Sequence, residues 1–502
     1  MKRGLLFVTF FSLLLNTKLC ISFSFSSIKQ KPQKDDMIIS YQQEKLGFST
    51  SAYQIEGGWN EDGKGLSIWD VFSRETGHIK DGSTGEMTCD SYHKWKEDIE
   101  WLQKLGASYY RFSFSWSRIL PNGDLSIINE KGLQYYETMI DELLHKNITP
   151  LVTLFHWDLP QELQEKYGGW ENDHIYQDFL NYACLCFSRF SKKITHWITI
   201  NEPYTFSVLG YGNGLHAPGK KEPYSLPYWI GYRLLKAHVL VYHAFHETFE
   251  GNISIALNAD CILPKNPTKE EDLQAAERGN VWRMGWFADP LFFGSFPSLM
   301  TSYLTETRLP SIENPEKWKN TLDFFALNHY TTLLAEPSSS SMNTNNVFLD
   351  DRIVLSFPPS SSPSASSWLH SYPEGIYHII QWIHQRYWKK KKENFHDLPL
   401  FITEFGISNF PQDPLQDNDR IQYLNKYIKN IEKASLDLSL SIPVYCIWSL
   451  MDNFEWASGY SERFGILYVN FSDPQRTRIP KASAISFLQT KNSSIPHLSS
   501  SS

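Results

Sequence analysis

Trp197-Ile198-Thr199-Ile200-Asn201-Glu202-Pro203 is a short apolar, β-branched run that stops abruptly at polar groups and a proline. Such a run reads as a buried strand whose C-terminal end carries hydrogen-bonding side chains. The same pattern recurs at Leu400-Phe401-Ile402-Thr403-Glu404-Phe405-Gly406. Working outward from these two, eight apolar or β-rich runs lie near 48–55, 108–116, 149–157, 194–201, 253–260, 322–332, 399–405 and 443–451. Stretches of helical period stand between them. Tyr92, Trp95, Ile99, Leu102 and Leu105 form a stripe that stops at Gly106, and Leu133, Tyr136, Ile140, Leu143 and Leu144 form another before Asn147. The segments 175–190, 229–248, 271–288, 374–388 and 419–434 carry the same period. Alternating strand and helix predicts a parallel sheet, and eight such units predict an α/β fold closed into a single (β/α)8 TIM barrel with long βα loops. An open doubly wound sheet is the alternative.

The chain has 502 residues, a net charge of −8 and a pI near 6.1, so it lacks the basic footprint of a nucleic-acid binder. Lys2 and Arg3 precede an apolar stretch from Leu5 to Leu15, too short to span a bilayer, with Cys20 and Ser22 offering small residues for cleavage. The expected organisation is a signal peptide over 1–22, an N-terminal extension over 23–46, the barrel over 47–490 and a disordered tail over 491–502. The mature chain is then exported, either released outside the cell or kept in the lumen of an acidic compartment, with no membrane span. Asn-x-Ser/Thr sequons at Asn147, Asn252, Asn470 and Asn492 are compatible with that route. Cleavage leaves Cys89, Cys184, Cys186, Cys261 and Cys446, an odd and sparse set that reads as buried thiols rather than a disulfide scaffold. The Ser-, Pro- and Asn-rich stretch 336–367 reads as a mobile loop, and Lys389–Lys392 as a solvated helix end or loop.

Polar groups gather at the C-terminal ends of the runs, the face where barrel enzymes place their sites. Gln54 and Glu56 follow the first run, Arg111 and Trp116 lie in the second, and His156, Trp157 and Asp158 end the third. Asn201 and Glu202 end the fourth, Asn328, His329 and Tyr330 the sixth, Glu404 the seventh, and Trp448 through Trp456 the eighth. Two carboxylates facing one cavity are what glycosidic bond cleavage asks for: one protonates the leaving oxygen, and the other attacks or stabilises the anomeric carbon. Two other readings fall away. Gly212-Asn213-Gly214-Leu215-His216-Ala217 matches a dinucleotide fingerprint only formally, because no strand-to-helix context surrounds it and Pro218 follows. His243 and His246 lack the glutamate of a zinc-protease helix, so neither a metal nor any other cofactor is expected.

The motifs Thr50-Ser51-Ala52-Tyr53-Gln54-Ile55-Glu56-Gly57, Tyr110 to Arg118, Thr153 to Pro160, Asn201-Glu202-Pro203, Asn328-His329-Tyr330, Thr403-Glu404-Phe405-Gly406 and Trp448 to Trp456 stand in a telling order. From about Gly47 to Leu488 the chain resembles the family 1 glycoside hydrolases, the β-glucosidase and lactase-like enzymes. The resemblance implies a retaining β-glycosidase acting on small β-glycosides or oligosaccharides, with Glu202 as acid/base and Glu404 as nucleophile, carboxyl groups roughly 5–5.5 Å apart. Arg111 would stand beside the nucleophile and Tyr330 would hydrogen-bond it. Gln54, His156, Asn201, Glu455 and Trp456 would line the sugar pocket, with Asn201 on the 2-hydroxyl. Trp448 would floor the ring, Phe464 would close its edge, and Trp368 would border the aglycone.

β-D-Glucosides are the expected substrates, with β-D-galactosides and fucosides as extensions. Glu455 would repel the phosphate of a phospho-glycosidase substrate, and the presence of Glu202 separates the chain from thioglucosidases that lack the acid/base. A transglycosidase, or a non-catalytic carbohydrate-binding or receptor-associated relative, is the alternative. Two departures from the family pattern stand out. Phe405 replaces the asparagine usual after the nucleophile, with a change in activity or specificity expected, and the first strand looks trimmed or shifted in register.

Overall fold

The computed structural model describes residues 41–339, 345–389, 398–409 and 413–493. The expected signal peptide and most of the expected extension lie outside the described residues, as do 340–344, 390–397 and 494–502.

Eight parallel strands close on themselves: β1 Leu46–Ser49, β2 Tyr109–Ser113, β3 Thr149–Phe155, β4 His196–Asn201, β5 Asn252–Asn258, β6 Phe325–Asn328, β7 Leu400–Phe405 and β8 Val444–Trp448. β1 pairs with both β2 and β8, which completes the barrel. Helices Ser91–Leu105, Glu130–His145, Ile175–Phe190, Leu226–Thr248, Glu270–Asn280, Gly375–Ile383, Asn418–Leu438 and Ala482–Ser493 follow the strands in turn. The predicted stripes mark these helices well: the first ends where Gly106 takes a left-handed φ of 78° and its N–H closes on Gln103 O.

Alternation along the strands produces two separate apolar layers. Leu151, Ile198, Ala256, Ala326, Phe401, Val444 and Cys446 cluster with one another inside the barrel. Their strand neighbours, such as Trp197 and Ile253, join the much larger cluster shared with the helices. A filled floor below leaves the C-terminal ends of the strands as the place for polar chemistry.

The first strand differs from the run read at 48–55. It is Leu46–Ser49, and Ala52–Ile55 is a helical turn. Thr50 N–H still reaches Arg111 O at 2.9 Å, but Ala52 N–H donates to the Ser113 hydroxyl at 2.7 Å, which turns the chain out of the sheet. The strand is short yet in register on both sides. Gly47 faces inward where a Cβ would stand 2.6 Å from the Cys446 sulfur, so the tight seam requires glycine.

The described parts of the stretch 336–367 are more ordered than its composition predicts. Thr332–Pro337 and Ile353–Ser356 pair antiparallel, and Cys261–Pro264 joins them as a three-stranded side sheet. Leu333, Ile353 and Leu355 pack on Ile262, Ala275, Ala276 and Ala335, an alternation hidden among the serines and prolines. Ser362–Pro363 adds a short pair with His370–Ser371. The last helix runs to Ser493, past the expected barrel end at 490. Cys89, Cys186, Cys261 and Cys446 are buried free thiols, and Cys184 is half-buried and also free.

Candidate active site

The residues singled out for the site lie at strand C-terminal ends or in the loops that follow, except Arg111, which stands in the middle of β2. Asn201 closes β4, and Glu202 comes next with its N–H on Ala256 O at 2.8 Å. Glu202 takes a left-handed φ of 46° as the chain enters the helix Pro203–Tyr211, whose first position holds the proline. Trp157 and Trp456 also adopt positive φ, 76° and 49°. Three non-glycine residues in that region around one cavity mark backbone held against its preference.

Glu404 points from β7 and is buried. The Arg111 guanidinium donates to its Oε1, and Tyr330 OH donates to its Oε2 at 2.7 Å. Arg111 Nη2 also donates to Asn201 Oδ1 at 2.5 Å. The same Asn201 oxygen accepts from Asn328 Nδ2 at 3.1 Å, and that amide donates to Glu202 Oε1 at 2.8 Å. Thr403 Oγ1 in turn donates to Asn328 Oδ1 at 2.7 Å. One chain of hydrogen bonds, Glu404–Arg111–Asn201–Asn328–Glu202, therefore ties the two carboxylates together across β7, β2, β4 and β6.

Their environments differ. Glu404 has a guanidinium and a phenol as donors, while Glu202 has neutral groups, the Asn328 amide and Thr205. Burial, then the charge of Glu404, pushes the Glu202 carboxyl up to about 8; hydrogen bonds from Asn328 and Thr205 and the charge of Arg111 pull the other way. A carboxyl so placed keeps its proton at neutral pH.

Around this pair lies a polar and aromatic cup. His156 Nε2 faces Asn201 Nδ2 at 3.1 Å, and its ring lies nearly parallel to Trp448 and to Trp456, 6.0 Å from each. Burial and then Arg111 lower its pKa, so it presents a neutral imidazole. Trp157 Nε1 donates to Asn201 O at 2.9 Å. The Gln54 amide donates to Phe454 O and Asn453 Oδ1 at 3.0 and 3.1 Å, and approaches Glu455 Oε2 at 3.5 Å. Burial, then Glu462, raises the pKa of Glu455, while the Trp448 indole holds it down. Tyr330, Trp368 and Phe464 meet at the rim: the Trp368 ring is edge-on to Tyr330 at 5.8 Å and near parallel to Phe464 at 6.4 Å, with Trp368 47% exposed.

Comparison with known proteins decides the family. Residues 43–493 match the model for glycosyl hydrolase family 1. The chain belongs to that family. Human lactase/phlorizin hydrolase is 44% identical over 454 residues, which cover 87% of this chain but only 23% of that much longer protein. Beta-glucosidase 25 of Oryza sativa subsp. japonica is 40% identical over 476 residues, covering 88% of this chain and 92% of the relative. Among solved structures, a rice β-glucosidase mutant in a covalent complex with Glc superposes with a TM-score of 0.84 at 35% identity, covering 88% of this chain and 97% of that one.

Within this family 1 protein, some contributors escaped the reading of the sequence. Asn328 was visible only as a polar strand end, and nothing local announces that its amide bridges Asn201 and Glu202. Thr403 reads as an ordinary β-branched strand residue. His216, part of the false dinucleotide match, packs against Trp69 and Trp157 at 5.4 Å and reaches Trp456 at 6.4 Å, backing the sugar-side aromatics. Phe405 does not join the cup. It is buried and stacks on Tyr427 at 5.0 Å and 3°. Gly406 lies where a Cβ would be 2.0 Å from Trp448 O, a close approach that explains the glycine. His243 and His246 bond Lys317 O and Asp323 on the outer surface. Among the described residues no group of three or more His, Cys, Asp or Glu is arranged to hold a metal, and no helix is long and apolar enough to cross a membrane.

Proposed function

We propose that this protein is a retaining β-glycosidase that hydrolyses terminal β-D-glucosyl residues through a covalent glycosyl-enzyme, with β-D-galactosyl and fucosyl residues as further substrates. The observation that carries the reading is the pair of buried carboxylates joined by one hydrogen-bond chain, with Glu202 held protonated. Glu202, protonated, donates to the leaving oxygen while Glu404 attacks the anomeric carbon. Arg111 and Tyr330 hold Glu404 aimed until the bond forms. Glu404 then loses its charge, and the repulsion that helped raise Glu202 disappears. Glu202, now a stronger acid and already deprotonated by the departing aglycone, takes a proton from water as base. Water attacks the anomeric carbon and releases Glu404. The covalent glucose complex of the rice relative supports the same course here.

Asn201, held between Arg111 and Asn328, is placed for the 2-hydroxyl. Gln54, His156 and Glu455 are placed for other hydroxyls, over the floor made by Trp448 and Trp456. Tyr330, Trp368 and Phe464 form the side from which the aglycone leaves. Transfer to an alcohol instead of water uses the same intermediate. We also place the chain in the secretory pathway, from the charged and apolar N-terminus and the exposed sequon asparagines Asn147 and Asn252; a secreted product whose N-terminus lies beyond Ser22 is the expected result, and retention of Met1 would refute it.

The deciding experiment is trapping with a 2-fluoro β-glucoside followed by peptide mass analysis. The label should sit on Glu404, and Glu404→Gln should lose at least about a thousandfold in turnover of an aryl β-glucoside. No label, with equal rates for both proteins, rejects the assignment in favour of a binding protein.

A further inference from the structure

We propose that Ser366 and Glu462 form a clasp that fixes the leaving-group wall of the site, making both specificity-determining positioning residues for the aglycone. The inference rests on the glycosidase reading above and extends it to residues that touch no sugar.

Glu462 is buried in the loop after β8, between Glu455 and Phe464. A buried carboxylate needs donors for both oxygens. Its Oε1 accepts from Ser458 Oγ at 3.0 Å, within its own loop. Its Oε2 accepts from the Ser366 hydroxyl, which belongs to the loop after β6. The two loops are 96 residues apart in sequence, and this charge-assisted bond crosses between them in a buried setting.

Ser366 is fully buried and held a second time. Its N–H donates to Ser408 Oγ at 2.9 Å, four residues beyond Glu404. Leu369 N–H closes the turn on Ser366 O at 3.0 Å, and Ser364 Oγ donates to Leu369 O at 2.9 Å. Trp368 stands inside that turn. The position of its indole, near parallel to Phe464 and edge-on to Tyr330, follows from where the turn is pinned. A carboxylate is well suited to the role, because it accepts from both loops at once. Removing the Ser366 hydroxyl frees the turn from the β8 loop yet leaves the Glu462 charge, Glu455 and the two catalytic carboxylates in place.

The test compares wild type, Ser366→Ala, Trp368→Ala and the double variant on two substrates. β-D-Glucosyl fluoride has a leaving group too small to reach Trp368, whereas 4-methylumbelliferyl β-D-glucoside presents a flat bicyclic aglycone to it. Ser366→Ala should lose about tenfold in kcat/KM on the umbelliferyl substrate, mainly through KM, and stay within about twofold on the fluoride. The double variant should match Trp368→Ala, because a clasp that acts through the indole has nothing left to position. Equal losses on both substrates, no loss on either, or additive losses in the double variant overturn the proposal. Amide hydrogen exchange across 364–369 gives a readout independent of turnover: Ser366→Ala should accelerate it, and unchanged exchange refutes the clasp. If wild type turned over neither glucoside, the glycosidase reading would fall while the exchange experiment still judged the clasp.

Discussion

Replacing Glu202 with glutamine should change how stability depends on pH, and the size of the change follows from the site. Burial, then Glu404, lifts the Glu202 carboxyl from 4.5 to about 8. In the unfolded chain the group loses its proton near 4.5; in the folded protein it holds the proton to about 8. Between those values the native state binds one more proton, so stability falls as pH rises. The contribution is complete below about 4.5 and gone above about 8. At about 1.36 kcal/mol per pH unit the full gap is worth up to about 5 kcal/mol. Glu202→Gln stays neutral at every pH and keeps an oxygen for the Asn328 amide. Thermal unfolding of both proteins at pH 5, 6.5 and 8 is the assay. The Tm of the variant minus that of wild type should grow with pH, by roughly 3–6 °C over the range for a chain of this size. Asp158, whose pKa is raised by burial as well and which does not feel Glu202, titrates in both proteins and drops out of the difference. A Tm difference that stayed constant, or shrank as pH rose, would refute the account of Glu202 as a carboxyl held protonated.

Asn328→Ala removes a donor that stabilises ionised Glu202, so the alkaline limb of the activity profile should move to higher pH while kcat falls; a limb that moved down, or stayed, contradicts the hydrogen-bond chain. Phe405→Asn should cost about 3 kcal/mol, because it empties an aromatic slot and buries an amide there. A lower urea midpoint with an unchanged slope is the expected result, and an unchanged midpoint rejects the packing role.

The barrel was legible because its signals are periodic. Stripes such as Leu133 to Leu144 fall on one helix face, and the runs ending in Glu202 and Glu404 announce buried strands with polar ends. Strand–helix alternation then leaves few topologies. The site was legible through motif order, since His156, Asn201, Glu455 and Trp456 have ordinary explanations when taken singly. Two kinds of feature were not readable. Asn328 and Thr403 act through hydrogen bonds to residues far away in sequence, and no local pattern encodes such a partner. The side sheet near 332–356 was hidden because Ile353 and Leu355 alternate over too few residues to stand out from the serines and prolines around them. The shortness of β1 was readable, but not its cause: Ala52 N–H donating to the Ser113 hydroxyl, which turns the chain out of the sheet.

The substitution at Phe405 is where family pattern and local physics pull apart, and β7 explains why the barrel tolerates it. The ladders of β7 shift register between Ile402 and Glu404 toward β6, and between Ile402 and Phe405 toward β8. That irregularity lets Glu404 aim at Arg111 and Tyr330 while Phe405 turns to the helix Asn418–Leu438 and lies flat on Tyr427. Tyr427 OH donates to His329 O at 2.9 Å, and His329 N–H donates to Glu404 O at 3.0 Å. The phenylalanine therefore braces the Glu404 backbone from behind, through packing, while the aim of the carboxylate is set in front by Arg111 and Tyr330. An asparagine would serve that brace only with polar partners, and Phe405 is buried against the Tyr427 ring. On this arrangement the departure from the family sequence bears on packing behind β7, and Phe405 stands outside the cup around Glu202 and Glu404.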